Sequence, residues 1–450
     1  MMQRLIQAVS YPIWDRREGG IRLREYERLK KAQWSDRGER VHYQQERLGL
    51  ILRHAFETVP FYRSRWNDVP IEQLLANPSR LSELPVLRKA DVREHAGELV
   101  SETVSHGELI SAKTGGSTGV ALEVHFDEAC QQLRNGAEMW ANHLAGWRPG
   151  VLVGALWGTP PVPVTFRQKI RNAFHDRVFY LDTMTLNEAT MQAFLDTVVR
   201  RKARMLFGHA HSLYELARFA QDNGAGSTGL IGIVSTSMML LEHQRSLIEQ
   251  VFRVPVTDRY GCEEVGLIAC EAQECRHKHL NTDHVVVEIL GEDDAPVPEG
   301  TEGRIVLTDL NNYGMPLVRY AVGDVGAISH EPCSCGRGLS SLVRLSGRMA
   351  DYFLRKDGVR VSGISLVEKT LTAIDGLYEL QLVQESVSRV TARAIAKREF
   401  QDVVATSIEK ALRAALTEDV GVDVEFVERL EQTTSGKYRF AICRIGHESA

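Results

Sequence analysis

The sequence predicts an α/β protein in two parts: a large N-terminal α/β domain that begins with a helical segment, and a small, mobile C-terminal α+β domain. Three observations lead there. Residues 1–100 are mainly helical in pattern. From residue 20 onward they are rich in Leu, Arg and Glu at helical spacing, as in Gln45, Leu48, Leu52 and Phe56, with few breakers before Val59-Pro60. From Leu109 the texture changes to short apolar runs, Val151 to Trp157 and Leu230 to Val234, each near Gly or Pro. These alternate with amphipathic stretches such as Ser212 to Gln221, a pattern built around a sheet. After Gly347 comes a shorter unit with its own strands and a helix, Glu399 to Leu416. Gly347 to Asp351 is therefore the expected boundary, giving domains 1–348 and 349–450.

Within the large domain, VVVEIL (285–290) and RIVLTD (304–309) flank the acidic, Pro-containing loop GEDDAPVPEGTEG and read as a hairpin with a long loop. A chain of 450 residues exceeds one ordinary core, and 43% hydrophobic with 25% charged residues is the balance of a globular protein. The net charge of −5 argues against a nucleic-acid binder that relies on bulk positive charge. No run approaches the roughly 20 apolar residues that span a bilayer. The first apolar run is short and soon meets Asp15, Arg16, Arg17 and Glu18, so no signal peptide and a cytoplasmic location are expected. Five of seven cysteines crowd one region (Cys262, Cys270, Cys275, Cys333, Cys335), while Cys130 and Cys443 stand alone. In a reducing compartment such crowding points to metal rather than disulfides.

Five short motifs carry chemistry. Thr114-Gly115-Gly116-Ser117-Thr118-Gly119 combines glycines and hydroxyls that can wrap phosphate oxygens, though alone it is equally a surface turn. No Gly-Lys-Ser/Thr follows, so a catalytic lysine must come from elsewhere. Asp258-Arg259-Tyr260-Gly261-Cys262-Glu263-Glu264 follows the expected strand Val254-Pro255-Val256, and a carboxylate beyond a strand end can hold Mg²⁺ beside a triphosphate. Arg319-Tyr320-Ala321-Val322-Gly323-Asp324 places an Asp after a Gly turn, where it can accept both hydroxyls of a ribose. Gly347-Arg348-Met349-Ala350-Asp351 and Thr433-Thr434-Ser435-Gly436-Lys437 would say nothing alone. Separately, Cys333-Ser334-Cys335 can aim two thiolates at one ion, with Cys270, Cys275, His277 and His279 upstream, a set of soft donors that suits tetrahedral Zn²⁺.

The order of the five motifs resembles the adenylate-forming superfamily, and most of all its phenylacetate–CoA ligase branch. The likeness includes the helical opening with Val59-Pro60-Phe61-Tyr62. It implies ATP-dependent activation of a carboxylic acid to an acyl-adenylate, with an aryl or arylacetic acid implied by the branch, followed by transfer to the thiol of coenzyme A. By the same resemblance Thr114 to Gly119 is the phosphate loop, Glu264 the Mg²⁺-side glutamate, and Asp324 the ribose-binding residue assisted by Arg348. Lys437 is then the catalytic lysine on the mobile domain, Tyr260 and Gly261 line the nucleotide, and Ser237 and Met238 form the preceding adenine-side segment. Val359 to Gly363 is the segment presented for thiol attack. Trp157 and His209 are acid-pocket candidates from position. Some members of the branch carry a zinc site, which here implies His279, Cys333 and Cys335 with Cys270 or Cys275 as the fourth ligand. Three positions depart from the pattern: Glu263 where Thr or Ser is usual, Met238 where Glu or Ala is frequent, and Ala350 where the hinge has Asp or Lys. Delivery to an amine, hydroxyl or carrier-protein thiol shares every motif, and a homodimer is equally compatible. A non-catalytic nucleotide-binding scaffold is disfavoured by the intact Glu264, Asp324 and Lys437.

Overall fold

The computed structural model describes residues 2–113, 122–158, 160–161, 163–225, 229–348, 352–430 and 439–445. The chain opens on a helical run, Met2–Leu5, Ile6–Ser10 and Tyr11–Arg17, of which the middle piece is a π-helix. Gly19 and Gly20, both at positive φ, turn it into the helix Ile21–Ala32. The long helix Arg37–Thr58 starts on Asp36, whose carboxylate accepts from the Glu39 N–H at 3.0 Å, and stops where Val59 goes extended before Pro60. Its buried stripe is Leu48, Ile51, Leu52 and Ala55.

Strands β1 (Ile110–Lys113) and β2 (Glu123–Phe126) form a small hairpin. The main sheet holds β3 (Val153–Trp157), β4 (Val178–Asp182), β5 (Met205–His209), β6 (Gly232–Thr236), β7 (Val256–Cys262), β8 (Gly266–Ala272), β9 (Cys275–Leu280), β10 (Val285–Leu290), β11 (Gly303–Asp309), β12 (Tyr320–Ser329) and β13 (Ser341–Arg348). Their spatial order is β10-β11-β12-β13-β9-β8-β7-β6-β5-β3-β4. Strands β3 to β7 pair in parallel, with β4 at the edge, and the remaining strands pair antiparallel. The expected long-looped hairpin is present as β10 and β11, with Val285 opposite Asp309. The parallel half is covered by the helices Glu188–Arg200, Ala210–Asp222 and Glu242–Phe252. The antiparallel half packs on Arg37–Thr58. A buried ion network joins these layers: Arg40 and Arg28 both bind Asp283, while Glu25 accepts from Arg28 and bonds His284.

From residue 352 on come the hairpin β14 (Tyr352–Leu354) and β15 (Arg360–Ser362), the helix Gly363–Ala373, β16 (Leu377–Ser386), β17 (Arg389–Ala396), the helix Gln401–Ala415, β18 (Gly421–Phe426) and β19 (Ala441–Cys443). Four of these strands form a sheet in the order β18-β17-β16-β19. Its core also takes in Leu241, with Met238 and Met239 packed against it, so the segment after β6 touches this C-terminal unit.

A charged contact sits at the same junction. Glu379 on β16 faces His211 at 3.6 Å and Arg218 at 3.2 Å, and Arg218 also binds Glu215 at 3.1 Å. Burial and the Glu215 carboxylate push Glu379 up to about 8, because one guanidinium cannot satisfy two desolvated carboxylates. A raised acid stabilises the docked arrangement fully below its ordinary value of 4.5, and that contribution is lost as pH climbs to about 8. Glu379→Gln is therefore expected to flatten the decline of the thermal midpoint across that window. Superimposable pH profiles for the two proteins would rule out this role.

Candidate active site and metal cluster

In an open α/β sheet ligands sit beyond the carboxyl ends of the parallel strands. Trp157 is the last residue of β3 and His209 the last of β5, and their ring centroids lie 4.5 Å apart. Phe207 stacks on Trp157 from the other side at 5.6 Å. Ser237 follows β6 directly and holds a left-handed φ of 66°. Met238 beside it packs against the C-terminal core.

The second motif sits differently from the sequence expectation. Strand β7 begins at Val256 and runs on to Cys262, so Asp258 lies within the strand and not beyond it. Asp258 is buried and pairs with Lys278 on β9 at 3.0 Å, a structural ion pair. The tight β7–β8 turn carries Glu264, and a side chain at Gly261 would strike the Gly266 carbonyl oxygen at 2.6 Å. Arg134 fixes this turn from below: its guanidinium donates to the carbonyls of Glu263 (3.1 Å) and Glu264 (2.6 Å) and to Asp309 (2.9 Å).

Two tyrosines then aim the carboxylates. The Tyr320 hydroxyl donates to Glu264 Oε1 at 2.9 Å, and the Tyr260 hydroxyl donates to Asp324 Oδ2 at 2.7 Å. Burial, reinforced by the Glu264 charge, raises the Tyr320 phenol, so it remains a donor. Asp324 lies within β12, beside the positive-φ Gly323, and stands directly opposite Arg348 on β13. The structure thus sets two hydrogen-bonded pairs, Tyr320–Glu264 and Tyr260–Asp324, between β12 and the end of β7. Tyr320 was visible in the third motif without a role. Arg134 gave no local signal, because it lies in an amphipathic helix far from any motif.

Thr114, Gly115, Gly116, Ser117, Thr118 and Gly119 lie outside the described residues, as do Lys437 and Ala350. The β1–β2 register, with Lys113 opposite Glu123, brings the two ends of the phosphate-loop segment together.

The cysteine cluster forms a compact donor set. One ligand atom from each of Cys275, His279, Cys333 and Cys335 falls within 4.8 Å of every other. His279 Nε2 lies 3.3 Å from Cys275 Sγ and 3.4 Å from Cys335 Sγ. Burial, then the Arg337 charge, lowers His279 to about 4, which leaves a neutral imidazole able to ligate. Burial works against the Cys335 thiolate, but hydrogen bonds from the Arg337 backbone and side chain outweigh it and lower the thiol. Three sulfurs and one nitrogen at these spacings fit a tetrahedral soft ion. Cys270 is not part of the set. It stands opposite His279 in the β8–β9 ladder but packs into an apolar cluster with Trp140 and Leu144, where burial pushes its thiol up to about 12.

Comparison with known proteins agrees with this architecture. The CapK C-terminal domain family matches residues 353–444. Protein CapK of Staphylococcus aureus is 23% identical, covering 82% of this chain and 81% of its own length. The phenylacetate–coenzyme A ligase of Thermus thermophilus is 25% identical over 74% of this chain and 75% of its own. Among solved structures, 2-hydroxyisobutyryl-CoA ligase in its postadenylation state superposes with a TM-score of 0.75 at 19% identity, covering 92% of each chain. The same enzyme in an open conformation gives 0.62. The fold is that of the adenylate-forming ligases, and the chain's relatives are phenylacetate–coenzyme A ligases and CapK.

Proposed function

We propose that this chain, a relative of the phenylacetate–coenzyme A ligases, activates a carboxylic acid with ATP to an acyl-adenylate and passes the acyl group to coenzyme A. The acid is proposed to be aryl or arylacetic. The observation that carries the reading is the pair of tyrosine-oriented carboxylates, Glu264 in the turn that ends β7 and Asp324 on β12. The named relatives support it.

In the first step an oxygen of the acid bonds to the α-phosphorus while the bond from that phosphorus to pyrophosphate breaks. Anion approaches anion, so the chain must supply positive charge and fixed dipoles. We assign these to Lys437 and the Thr114 to Gly119 loop. Asp324, held by Tyr260 and opposite Arg348, takes the ribose hydroxyls, and Ser237, Met238 and Gly261 border the nucleotide. Glu264, an oxygen donor oriented by Tyr320, fits Mg²⁺, which when bound neutralises phosphate charge. Trp157 and His209, their rings tilted by 40° to each other, offer an aromatic side to the acid pocket. In the second step the thiol sulfur bonds to the acyl carbon, AMP departs, and the thiol proton is released.

Incubation with ATP, Mg²⁺ and coenzyme A across arylacetic, benzoic and aliphatic acids should give AMP and a thioester, fastest with the aryl acids. Equal turnover of all acids would remove the aryl assignment. The second reading is delivery of the acyl group to an amine, hydroxyl or carrier-protein thiol. AMP release driven by an amine, hydroxyl or carrier thiol in place of coenzyme A would establish that alternative.

The division into domains 1–348 and 349–450 is proposed to serve alternation between the two steps. Ala350→Pro should then impair thioester formation more than adenylate formation, because proline fixes φ near −65° and removes an N–H at the pivot. Both half-reactions should be measured on one folded preparation. A parallel decline in both, or none in either, would place the pivot elsewhere.

A further inference from the structure

The segment that follows the candidate acid pocket carries an unusual surface. Helix Phe166–Arg171 has no buried residue, and the helical run continues as Asn172–Asp176, where only His175 is buried. Phe166 is 79% exposed and Val164 77%, and Ile170 and Phe174 are exposed as well. Residues 166, 170 and 174 recur every four positions and so lie along one face. The run is held by its far end. His175 stacks on Tyr11 at 4.1 Å, the Ser10 hydroxyl donates to the Phe174 carbonyl at 3.0 Å, and Arg171 binds Glu18 at 3.2 Å. These contacts lay it against the N-terminal helical run, which exposes a matching row, Leu5, Val9 and Ile13. Two adjacent helical runs thus both present apolar rows to water, more than a scattering of single exposed residues.

The surrounding charge is one-sided. Residues 2–17 and 164–177 together contain seven Arg and Lys against two Asp, in a chain whose net charge is −5. Arg16, Arg17, Arg167 and Lys169 are exposed beside the apolar rows. Apolar stripes flanked by basic side chains are how a helix lies in the headgroup region of an anionic bilayer. A second copy is a poorer occupant, since a two-fold contact would set two basic rims against each other. We propose that this face docks the protein on an anionic membrane surface, with Phe166, Ile170 and Phe174 entering the interface and Arg167 and Lys169 meeting the headgroups. The proposal is independent of the reaction catalysed.

The test is sedimentation of the full chain with vesicles of phosphatidylcholine alone and of phosphatidylcholine mixed with phosphatidylglycerol. Binding is expected only to the mixed vesicles and should weaken as salt is raised. Combined Phe166→Ser, Ile170→Ser and Phe174→Ser should reduce it at least about tenfold. Arg167→Gln and Lys169→Gln should each reduce it about fivefold, and by less at high salt. Phe166, Arg167 and Lys169 are well exposed, so Phe166→Ser, Arg167→Gln and Lys169→Gln should each keep the native thermal midpoint. Weaker binding by Phe166→Ser alone keeps the test sound where the triple variant, with its half-buried Ile170 and Phe174, is less stable. Absence of binding to either vesicle would overturn the proposal. So would concentration-dependent dimerisation of the native chain that the serine variant abolishes, which would make a second copy the occupant.

Discussion

Replacing Lys437 with alanine is expected to slow acyl-adenylate formation by roughly a hundred- to thousandfold while leaving thiolysis of a supplied acyl-adenylate near its native rate. The first step joins a carboxylate to a phosphate, so its transition state gathers negative charge between the acid and the α-phosphoryl group. A lysine bridging the two offsets that charge, and loss of one such preorganised contact costs about 3–4 kcal/mol. The second step, attack of a thiol on a carbonyl already activated by the adenylate, does not need the same bridge. Pyrophosphate exchange reads the first step, and thioester yield from synthetic adenylate reads the second. Equal losses in both would show that Lys437 supports the fold or the nucleotide generally and has no role peculiar to the first step.

Metal removal should have the other large effect, on stability rather than rate. We propose that Cys275, His279, Cys333 and Cys335 hold one Zn²⁺ per chain. A closed set of four donors leaves no position for substrate, so the ion's work would be to tie the loop after β12 to β9. Cys335→Ser should lower unfolding free energy by about 3 kcal/mol or more, in the range seen when a metal site is lost. Cys270→Ser should leave zinc content unchanged, because that thiol faces the apolar cluster. Elemental analysis of protein purified without chelator would check both. Absence of zinc, or a Cys335→Ser protein as stable as the native one, would contradict the assignment.

Much of the fold was legible because local pattern and tertiary role agree. The β10–β11 hairpin follows from two apolar runs about a turn-rich loop, and the covering helix Ala210–Asp222 from its amphipathic spacing. Other features depend on partners remote in sequence. Asp258 and Arg259 look like loop residues until Lys278 is seen to pair with the Asp258 carboxylate and Glu138 with the Arg259 guanidinium. Cys270 stands directly opposite His279 and shares its face of the β8–β9 hairpin, so the choice between Cys270 and Cys275 turns on which thiol reaches the loop that carries Cys333 and Cys335, a contact between segments remote in sequence. Arg134 reaches the Glu264 turn from a helix more than a hundred residues away, and spacing alone could not have named it. The N-terminal run is helical, as expected for residues 1–100, but nothing in its spacing announces the π-helix at Ile6–Ser10. Of the candidate site, the order of motifs was readable, whereas the hydrogen bond from a tyrosine to each carboxylate was not.

The central claim is that the chain forms an acyl-adenylate. Acid-dependent exchange of labelled pyrophosphate into ATP, measured with Mg²⁺ and without coenzyme A, tests it most directly. The account predicts exchange that requires the acid and falls sharply in Glu264→Gln, which keeps the side chain's size but removes its charge. Exchange absent with every acid tried, from folded protein that still binds ATP, would contradict it and leave a nucleotide-binding protein without ligase chemistry.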